Sequence, residues 1–297
     1  MEQALSPQTT PLPDHLMAPL LAAGHLVEQD TIRPLTGGRT NHVWRVVRNC
    51  GDLVLKAYRG DTGNLLFPNS FLCEIAALQA LEDSGDVPKL RAFGTSDNTS
   101  WVLYEHLEGP LWHNDPAPVA HLLARIHATT PFSGLRHGPN GSQDIARQTL
   151  GILAACQSPK SRLLAARAPT GQVAPLDRPR LIHADPVPAN IVMRETGPAL
   201  IDWQCPALGD PSEDLAFFTS PAMQLLYRGS ALTRQETGTF LSAYPDPSIA
   251  RRYQALKPWY HWRMAAYCLW KIERGNADYE RGLQSEMESL AAYSKTE

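Results

Sequence analysis

Two apolar, β-prone runs enclose a short polar loop in the segment LIHADPVPANIVM, which covers residues 181–193. Pro186 and Pro188 stiffen this loop, because a proline ring fixes the backbone angle φ. The loop therefore presents the carboxylate of Asp185 and the carboxamide of Asn190 from a rigid connection between two buried runs. A rigid loop of this kind can direct one oxygen at a proton and another at a metal ion.

A third apolar run leads to another carboxylate. Asp202 directly follows the run PALI, residues 198–201, and burying a carboxylate there is costly unless it binds something. The pattern predicts short strands at residues 181–182, 191–193 and 199–201, with a turn at residues 195–197. A hairpin of this length is expected to bring the polar loop and Asp202 close together.

Three oxygen-bearing side chains suit magnesium chemistry. Mg²⁺ takes a few protein oxygens and completes its shell with water and phosphate. One carboxylate and one carboxamide on the metal, with the second carboxylate free to accept a hydroxyl proton, are the parts that phosphoryl transfer needs. In the structural alternative, these side chains only stabilise the loop or pair with an arginine elsewhere in the chain: His183, Asp185, Asn190 and Asp202.

The N-terminal part carries a turn that could bind phosphate. Gly37 and Gly38 lie between two predicted strands, and the residues that follow them are Arg39, Thr40 and Asn41. Backbone N–H groups in such a turn can fold over phosphates. Taken alone, a double-glycine turn is most often a simple hairpin.

A lysine and a glutamate follow this turn. Lys56 lies near the end of an apolar strand and can reach phosphates as a point charge, although a single strand lysine is usually a solvated edge residue. Glu74 lies among apolar residues in a predicted helix that begins near Phe71, so it partly faces inward and requires a cation. Lys56 is the nearest candidate by chain order.

The order of predicted elements divides the chain in two. Strands with a single helix come first, and helices interrupted by short strands follow them. This order predicts an α+β fold in two lobes, an N-terminal lobe at residues 1–108 and a C-terminal lobe at residues 109–297. Residues 1–14 are rich in proline, threonine and glutamine and are expected to form a loose arm.

Composition argues against several partners. The net charge is −3, so nucleic acid is not an expected partner. No run approaches the roughly 20 apolar residues that span a bilayer, and the N-terminus lacks the basic and apolar regions of a signal peptide. Five widely spaced cysteines without a CxxC motif predict no disulfide framework and favour a reducing, cytoplasmic location.

Two motifs resemble those of a known family. HADPVPAN at residues 183–190 resembles an H-x-D-x-x-x-x-N loop, and LIDWQCPALGDPSEDLA at residues 200–216 resembles an I-D-W/F run followed by G-D-P and D-L-A. Aminoglycoside phosphotransferases, choline and ethanolamine kinases and thiamine kinase carry such motifs. The resemblance spans roughly residues 30–275. It implies a two-lobed protein-kinase-like fold, with a small β-rich N-lobe that contains one helix and binds the nucleotide, and a larger, mainly α C-lobe that is catalytic and binds the acceptor.

The resemblance also implies site roles, with ATP and Mg²⁺ as cofactors. Asp185 would be the catalytic base, and Asn190 and Asp202 would be the Mg²⁺ ligands. Lys56 would contact the α- and β-phosphates, and Glu74 would orient it. The remaining assignments are adenine contacts through the backbone of Glu105, His106 and Leu107, and bracing of the catalytic loop by His183, Asp210 and Asp214. Capping of the helix that follows is a second interpretation for Asp210, compatible with the first.

Two features bear on the acceptor. Gln204 stands where the family commonly has an acidic residue, which argues against a strongly polycationic acceptor. Trp259, Trp262 and Trp270 form a stripe at helical spacing, and aromatic faces attract quaternary ammonium groups. Together with Trp203 and Gln204 they form a possible acceptor pocket. Packing between helices would explain the same spacing.

Three other residues of the same predicted helix have expected positions: Pro258, His261 and Arg263. Pro258 can open this helix, because proline is tolerated in a first helical turn. His261 and Arg263 lie off the stripe. Both are expected to be solvated, as charged side chains usually are.

These features predict an ATP-dependent small-molecule kinase that phosphorylates a hydroxyl of a small amino- or ammonium-alcohol, such as choline, ethanolamine or thiamine. The alternatives are an aminoglycoside O-phosphotransferase and a non-catalytic nucleotide-binding pseudokinase. A protein kinase is disfavoured, because residues 203–209 leave no room for a long activation segment. A metallohydrolase would need closely spaced histidines, and His121 and His127 do not share a helix face well.

Overall fold

The computed structural model describes residues 10–35, 40–60 and 63–293. The chain forms two compact units. The first unit contains Met1–Pro110 and Val192–Cys205, and the second unit contains Leu111–Ile191 and Pro206–Glu297. The boundary predicted from the sequence lies at residues 108/109 and places residues 192–205 in the C-terminal lobe, whereas their contacts group them with the N-terminal residues.

An antiparallel sheet of five strands forms the main part of the first unit, in the spatial order β1-β2-β3-β5-β4. The strands are β1 (Thr31–Pro34), β2 (His42–Val47), β3 (Leu53–Ala57), β4 (Leu90–Ser96) and β5 (Thr99–Glu105). Lys56 on the central strand β3 pairs in register with Val43 on β2 and Val102 on β5. The predicted β-rich N-terminal part is confirmed.

Two helices accompany this sheet: α1 (Asp14–Ala22) and α2 (Phe71–Ala80). The prediction of a loose arm is wrong for residues 10–14, and residues 1–9 lie outside the described residues. Leu12, Leu16 and Leu20 are buried in one cluster with apolar residues of the sheet. The carbonyl of Thr10 accepts a hydrogen bond from Nε1 of Trp44 at 2.8 Å. Burial of these leucines orders a segment whose composition alone predicts flexibility.

Helix α2 begins at Phe71, where its sequence predicts, and ends at Ala80. The side chain of Ser70 caps it and accepts from the backbone N–H of Cys73 at 3.2 Å. A 3₁₀ turn at Glu82–Ser84 follows, and Gly85 ends it in the left-handed conformation that glycine favours. The buried residues of α2 include Glu74, so the helix presents a carboxylate to the interior.

Five further short strands follow β5. They are β6 (Arg136–His137), β7 (Arg180–Ile182), β8 (Ile191–Arg194), β9 (Gly197–Leu200) and β10 (Ala207–Gly209). Strands β8 and β9 form the predicted hairpin that leads to Asp202. Strand β7 lies instead in a three-stranded sheet of order β6-β10-β7, in which β6 and β10 were not predicted.

The second unit is mainly helical. Its helices are α3 (Ala117–Ala128), α4 (Ser142–Ala154), α5 (Lys160–Ala165), α6 (Ser212–Thr219), α7 (Pro221–Tyr227), α8 (Arg234–Ala243), α9 (Pro247–Ile272) and α10 (Glu280–Tyr293). Across the described ranges, no helix combines the length and the apolar character needed to cross a bilayer. The α+β class is confirmed, with strands concentrated in the N-terminal part and helices in the C-terminal part.

The expectation that Pro258 opens a helix is wrong. It lies inside α9, which begins at Pro247 after the capping side chain of Asp246. An internal proline costs a helix about 3 kcal/mol. Every residue from Trp259 to Trp270 is buried in α9, and this burial offsets the cost because apolar side chains stabilise by roughly 2 kcal/mol each when they leave water.

Candidate functional site

In the first unit, Lys56 lies between two carboxylates. Its ammonium Nζ donates to Glu74 Oε2 at 2.5 Å and also donates to Oδ1 of Asp202. Lys56 and Glu74 are 3% and 1% exposed, so the alternative of a solvated edge lysine is wrong. The hairpin β8–β9 delivers Asp202 to the lysine, and α2 delivers Glu74.

Charge pairing explains how these groups are buried. Burial alone would lower the pKa of Lys56, but the carboxylates of Asp202 and Glu74 outweigh it and hold that pKa above its ordinary value. Burial raises the pKa of Glu74, and the Lys56 ammonium opposes this rise. Lys56 is therefore a permanent cation held at a fixed place.

Tyr58 is a member of this cluster that sequence reasoning missed. Its hydroxyl donates to the same oxygen of Glu74 that accepts from Lys56. Tyr58 follows Lys56 by two residues, and such residues lie on the same face of a strand. That alternation was the available signal. Burial, followed by the charge of Glu74, raises the pKa of Tyr58 above its ordinary value, so the phenol remains a donor.

The backbone at Asp202 has an unusual conformation. Its φ is +65°, in the left-handed region that non-glycine residues rarely adopt. The next residue, Trp203, is fully buried, and its Nε1 donates to the carbonyl of Leu200 at 3.1 Å. The buried indole fixes the turn that follows β9, and the Asp202 side chain remains one-third exposed.

In the second unit, Asp185 and Asn190 are joined within the predicted loop. Nδ2 of Asn190 donates to the carbonyl of Asp185 at 2.9 Å and to its carboxylate Oδ2 at 3.2 Å. A 3₁₀ turn at Pro188–Asn190 places the amide for these contacts. Both hydrogen bonds use the nitrogen, so the oxygen Oδ1 keeps the capacity to bind a cation.

Asp214 braces this loop from α6. Its Oδ2 accepts from the backbone N–H of His183 and its Oδ1 from that of Ala184, both at 2.8 Å. Ala184 has a φ of +65°, a conformation that glycine adopts at lower cost. The two charge-assisted hydrogen bonds offset this strain. His183 is fully buried, and its Nδ1 accepts from the backbone N–H of Asp185 at 3.2 Å.

His127 on α3 is a second residue that sequence reasoning missed. Its Nε2 lies 3.0 Å from Asp214 Oδ2, and its Nδ1 lies 2.7 Å from the hydroxyl of Tyr244. Because a carboxylate only accepts, Nε2 donates the proton of its contact with Asp214. His127 therefore orients Asp214. Its position at the end of the apolar face of α3 was the available signal.

Replacing Asp214 by asparagine is expected to lower the free energy of unfolding by about 2 kcal/mol, because three donors face this carboxylate and an amide supplies only one acceptor. Urea denaturation measures the change. Asp177→Asn is the matched control, since Asp177 is exposed in the same unit. Equal stability of the two variants would contradict the bracing role.

Asp210 has different partners. Its Oδ1 accepts from the backbone N–H of Ser212, the first residue of α6, at 3.0 Å. Its Oδ2 pairs with Nε of Arg252 at 2.6 Å. Asp210 thus contacts the first residue of α6, whose N-cap position is Pro211, and its ion pair links the start of α6 to α9.

The expectation that His261 and Arg263 are solvated is wrong. Both are buried, because each has an acidic partner on another helix. Nδ1 of His261 lies 2.5 Å from Oε2 of Glu286 on α10. Nη1 of Arg263 lies 2.7 Å from Oε1 of Glu213 on α6. These pairs make long polar side chains part of the interior.

The aromatic stripe is also interior. Trp259, Trp262 and Trp270 are 7%, 1% and 6% exposed, and Nε1 of Trp262 donates to the carbonyl of Leu164 at 2.7 Å. Trp203 and Gln204 are buried as well. Packing accounts for the helical spacing of the three indoles, as the structural alternative predicts.

Part of the predicted nucleotide segment lies outside the described residues, namely Gly37, Gly38 and Arg39. Thr40 and Asn41 are described. Nδ2 of Asn41 donates to Asn69 and Gln204, and its Oδ1 accepts from Asn69 and from the backbone N–H of Arg59. The Asn41 side chain is therefore engaged within the protein.

The predicted adenine segment follows β5. The backbone N–H of Glu105 donates to the carbonyl of Lys89, and that of His106 donates to the carbonyl of Asp52, both at 2.9 Å. The side chain of Glu105 also pairs with Arg91. Of the three residues in the prediction, Leu107 is the one whose backbone N–H has no partner among the described residues.

The described ranges contain no group of three or more His, Cys, Asp or Glu side chains arranged to hold a metal ion. The donors predicted for Mg²⁺ are one carboxylate, Asp202, and one amide oxygen, Asn190 Oδ1. This donor set fits an ion that takes most of its ligands from phosphate and water. A metal held by protein groups alone would need more of them.

Solved structures share this fold. Choline kinase LicA from Streptococcus pneumoniae is 19% identical, with a TM-score of 0.69, and the match covers 94% of this chain and 100% of that chain. Ethanolamine kinase from Plasmodium vivax is 14% identical, with a TM-score of 0.60 and coverages of 92% and 87%. Spectinomycin phosphotransferase APH(9)-Ia, solved with ADP and spectinomycin, is 15% identical, with a TM-score of 0.59 and coverages of 96% and 95%.

The comparison with curated proteins found no match. A family model does match, over residues 31–258, and its description is the phosphotransferase enzyme family, APH. This match covers most of the chain and includes both motifs from which the resemblance was predicted, so that prediction is confirmed. The chain thus belongs to the APH phosphotransferase family of small-molecule kinases and has the kinase-like fold of that family.

Proposed function

We propose that this phosphotransferase uses ATP and Mg²⁺ to phosphorylate a hydroxyl of a small amino- or ammonium-alcohol of the choline, ethanolamine or thiamine type. The observation that carries the proposal is the buried Lys56 ammonium between Glu74 and Asp202. A cation that is kept charged by two carboxylates suits the α- and β-phosphates of a nucleotide. A cytoplasmic location is part of the proposal, because all five cysteines lie in the described ranges as thiols rather than as disulfides.

Each residue has a defined task in nucleotide binding. Lys56 contacts the phosphates, and Glu74 and Tyr58 keep its position. The backbone N–H of Leu107 is available to the adenine ring. Asp202 and Oδ1 of Asn190 would hold Mg²⁺, which when bound neutralises charge on the β- and γ-phosphates.

Asp185 is the general base of the transfer. Its carboxylate accepts the proton of the acceptor hydroxyl, the hydroxyl oxygen bonds to the γ-phosphorus, and the bond from that phosphorus to the bridging oxygen of ADP breaks. Asn190 donates to Asp185 and holds its carboxylate in one orientation. Asp214 fixes the backbone immediately before Asp185 and acts as a positioning residue.

The acidic residues of the second unit support an acceptor with a single positive charge. An aminoglycoside carries several amines and needs several unpaired carboxylates to hold them. Many of the carboxylates in this unit already have cationic partners: Asp144 with Arg147, Asp210 with Arg252, Glu213 with Arg263, Glu236 with Arg228, and Asp246 with Arg180. Gln204 in the first unit is neutral, where the family commonly has an acid.

An ADP-release assay with Mg·ATP tests the proposal. Choline, ethanolamine, thiamine and two aminoglycosides are offered separately, each with and without a metal chelator. The expected result is chelator-sensitive ADP release with an amino- or ammonium-alcohol. Faster release with an aminoglycoside would favour the aminoglycoside alternative. Binding of Mg·ATP without turnover of any acceptor would favour a non-catalytic nucleotide-binding protein.

A further inference from the structure

Three carboxamide side chains form one cluster in the first unit: Asn41, Asn69 and Gln204. Nδ2 of Asn41 donates to Oδ1 of Asn69 at 2.8 Å and to Oε1 of Gln204 at 2.9 Å. Nδ2 of Asn69 returns a hydrogen bond to Oδ1 of Asn41 at 2.9 Å. Asn41 therefore stands at the centre of the carboxamide cluster and uses both of its polar atoms.

The carboxamide cluster joins three segments that are distant in sequence. Asn41 directly precedes β2, and Asn69 precedes Ser70, the cap of the helix that carries Glu74. Gln204 follows Asp202 by two residues, and its backbone carbonyl accepts from the N–H of Ser70 at 3.1 Å. The side chain and the main chain of Gln204 thus connect residues 202–204, called the Asp202 segment, to the residues that precede β2 and α2.

The Asp202 segment needs such a restraint. A non-glycine residue in the left-handed conformation persists only where the surrounding structure holds it there. Asp202 has a φ of +65°, and the contacts that hold it there are made by the next two residues, Trp203 and Gln204. The indole of Trp203 donates to the carbonyl of Leu200. The side chain of Gln204 accepts from Asn41 before β2, and its backbone carbonyl accepts from Ser70 before α2.

We propose that Gln204 is a positioning residue for nucleotide binding, which holds Asp202 in its left-handed conformation through its contacts with Asn41 and Ser70. The proposal rests on the proposed function, in which Asp202 contributes to the Mg·nucleotide site. The Gln204 side chain is 3% exposed, and its amide oxygen accepts from Asn41, so this hydrogen bond is made away from solvent.

Two substitutions at position 204 separate the hydrogen bond from the volume of the side chain. Gln204→Met keeps the length and removes the acceptor, whereas Gln204→Glu keeps an acceptor oxygen. Calorimetric titration with Mg·ADP measures the dissociation constant without turnover. We expect Gln204→Met to raise it about tenfold, the size that loss of one buried hydrogen bond predicts, and Gln204→Glu to raise it by less than about threefold.

Asn64→Ala is the matched control. Asn64 lies in the same unit, and its Oδ1 accepts from the backbone N–H groups of Leu66 and Phe67, outside the carboxamide cluster. The control is expected to lower the thermal midpoint without weakening Mg·ADP. If it weakened Mg·ADP as much as Gln204→Met, the effect would be general destabilisation and the proposal would be wrong.

Asn41→Ala breaks the same hydrogen bond from the other partner and gives the answer if Gln204→Met does not fold. We expect the double variant to bind Mg·ADP no more weakly than the weaker single variant, because both substitutions remove one shared contact. Additive losses would overturn the proposal, and so would unchanged affinity in the folded single variants. Failure of the unsubstituted protein to bind Mg·ADP would instead refute the proposed function.

Discussion

Replacing Asp185 by asparagine is expected to lower kcat by about a thousandfold, the middle of the range for a lost general base. Asparagine has the shape of aspartate but cannot take a proton from the acceptor hydroxyl. Its Oδ1 can still accept from Nδ2 of Asn190, which now bonds to the carboxylate at 3.2 Å, so the loop keeps its form. The dissociation constant of Mg·ADP is expected to change by less than about threefold, since the lost interaction belongs to the transition state.

Steady-state kinetics and calorimetric titration of the same preparation separate these two effects. The acceptor is the one that gives the fastest ADP release with the unsubstituted protein. Asp177→Asn, an exposed position in the same unit, provides the control for loss of one negative charge. Normal turnover by Asp185→Asn would show that Asp185 is not the general base. A variant that lost Mg·ADP binding would assign it to the nucleotide site instead.

Replacing Lys56 by methionine is expected to lower the free energy of unfolding by about 4 kcal/mol, because it leaves the buried carboxylate of Glu74 without its cation. Burial already raises the pKa of Glu74. Removal of the lysine raises that pKa further. When Glu74 is protonated in the folded variant, it no longer carries an unpaired buried charge. The stability deficit is therefore expected to be smaller at low pH and to grow as the pH rises through the pKa of Glu74 in the folded variant.

A second substitution separates stability from function at this pair. Lys56→Met with Glu74→Gln leaves no unpaired charge at the pair, so urea denaturation is expected to show that most of the lost stability returns. Affinity for Mg·ADP is not expected to return, because the phosphates still lack the ammonium. Lys89→Met, at an exposed lysine of the same unit, is the control. Recovery of nucleotide affinity in the double variant would show that Lys56 is a structural residue only.

The sheet of the first unit could be predicted because its strands are short runs rich in apolar and β-branched residues between clear turns. Helix α1 could not, since Pro13 and Pro19 flank or interrupt a short apolar pattern and the helix depends on packing against Trp44 and its neighbours. Strands β6 and β10 have two and three residues, too few for any periodicity. Such strands form because a neighbouring strand supplies their hydrogen bonds.

In the site, too, features that depend on local sequence could be predicted, whereas contacts between residues far apart in the sequence could not. The polar residues of the two motifs and the pairing of Lys56 with Glu74 follow from residue type, order and the apolar context. The partners of Gln204 and His127 do not, because Asn41 lies 163 residues from Gln204 and Asp214 lies 87 residues from His127. Arg263 was expected in solvent for the same reason, since only tertiary structure brings Glu213 to it.

The discontinuous chain path of the first unit has a consequence for biosynthesis. The chain leaves this unit at Pro110 and returns at Val192. A ribosome that has released only the first 110 residues has therefore made the central strand and its lysine, but not the hairpin that supplies the second carboxylate or the amide that receives Asn41. The first unit can reach its final form only after residue 205 has emerged, so its folding must wait until the intervening residues 111–191 of the second unit have also been made.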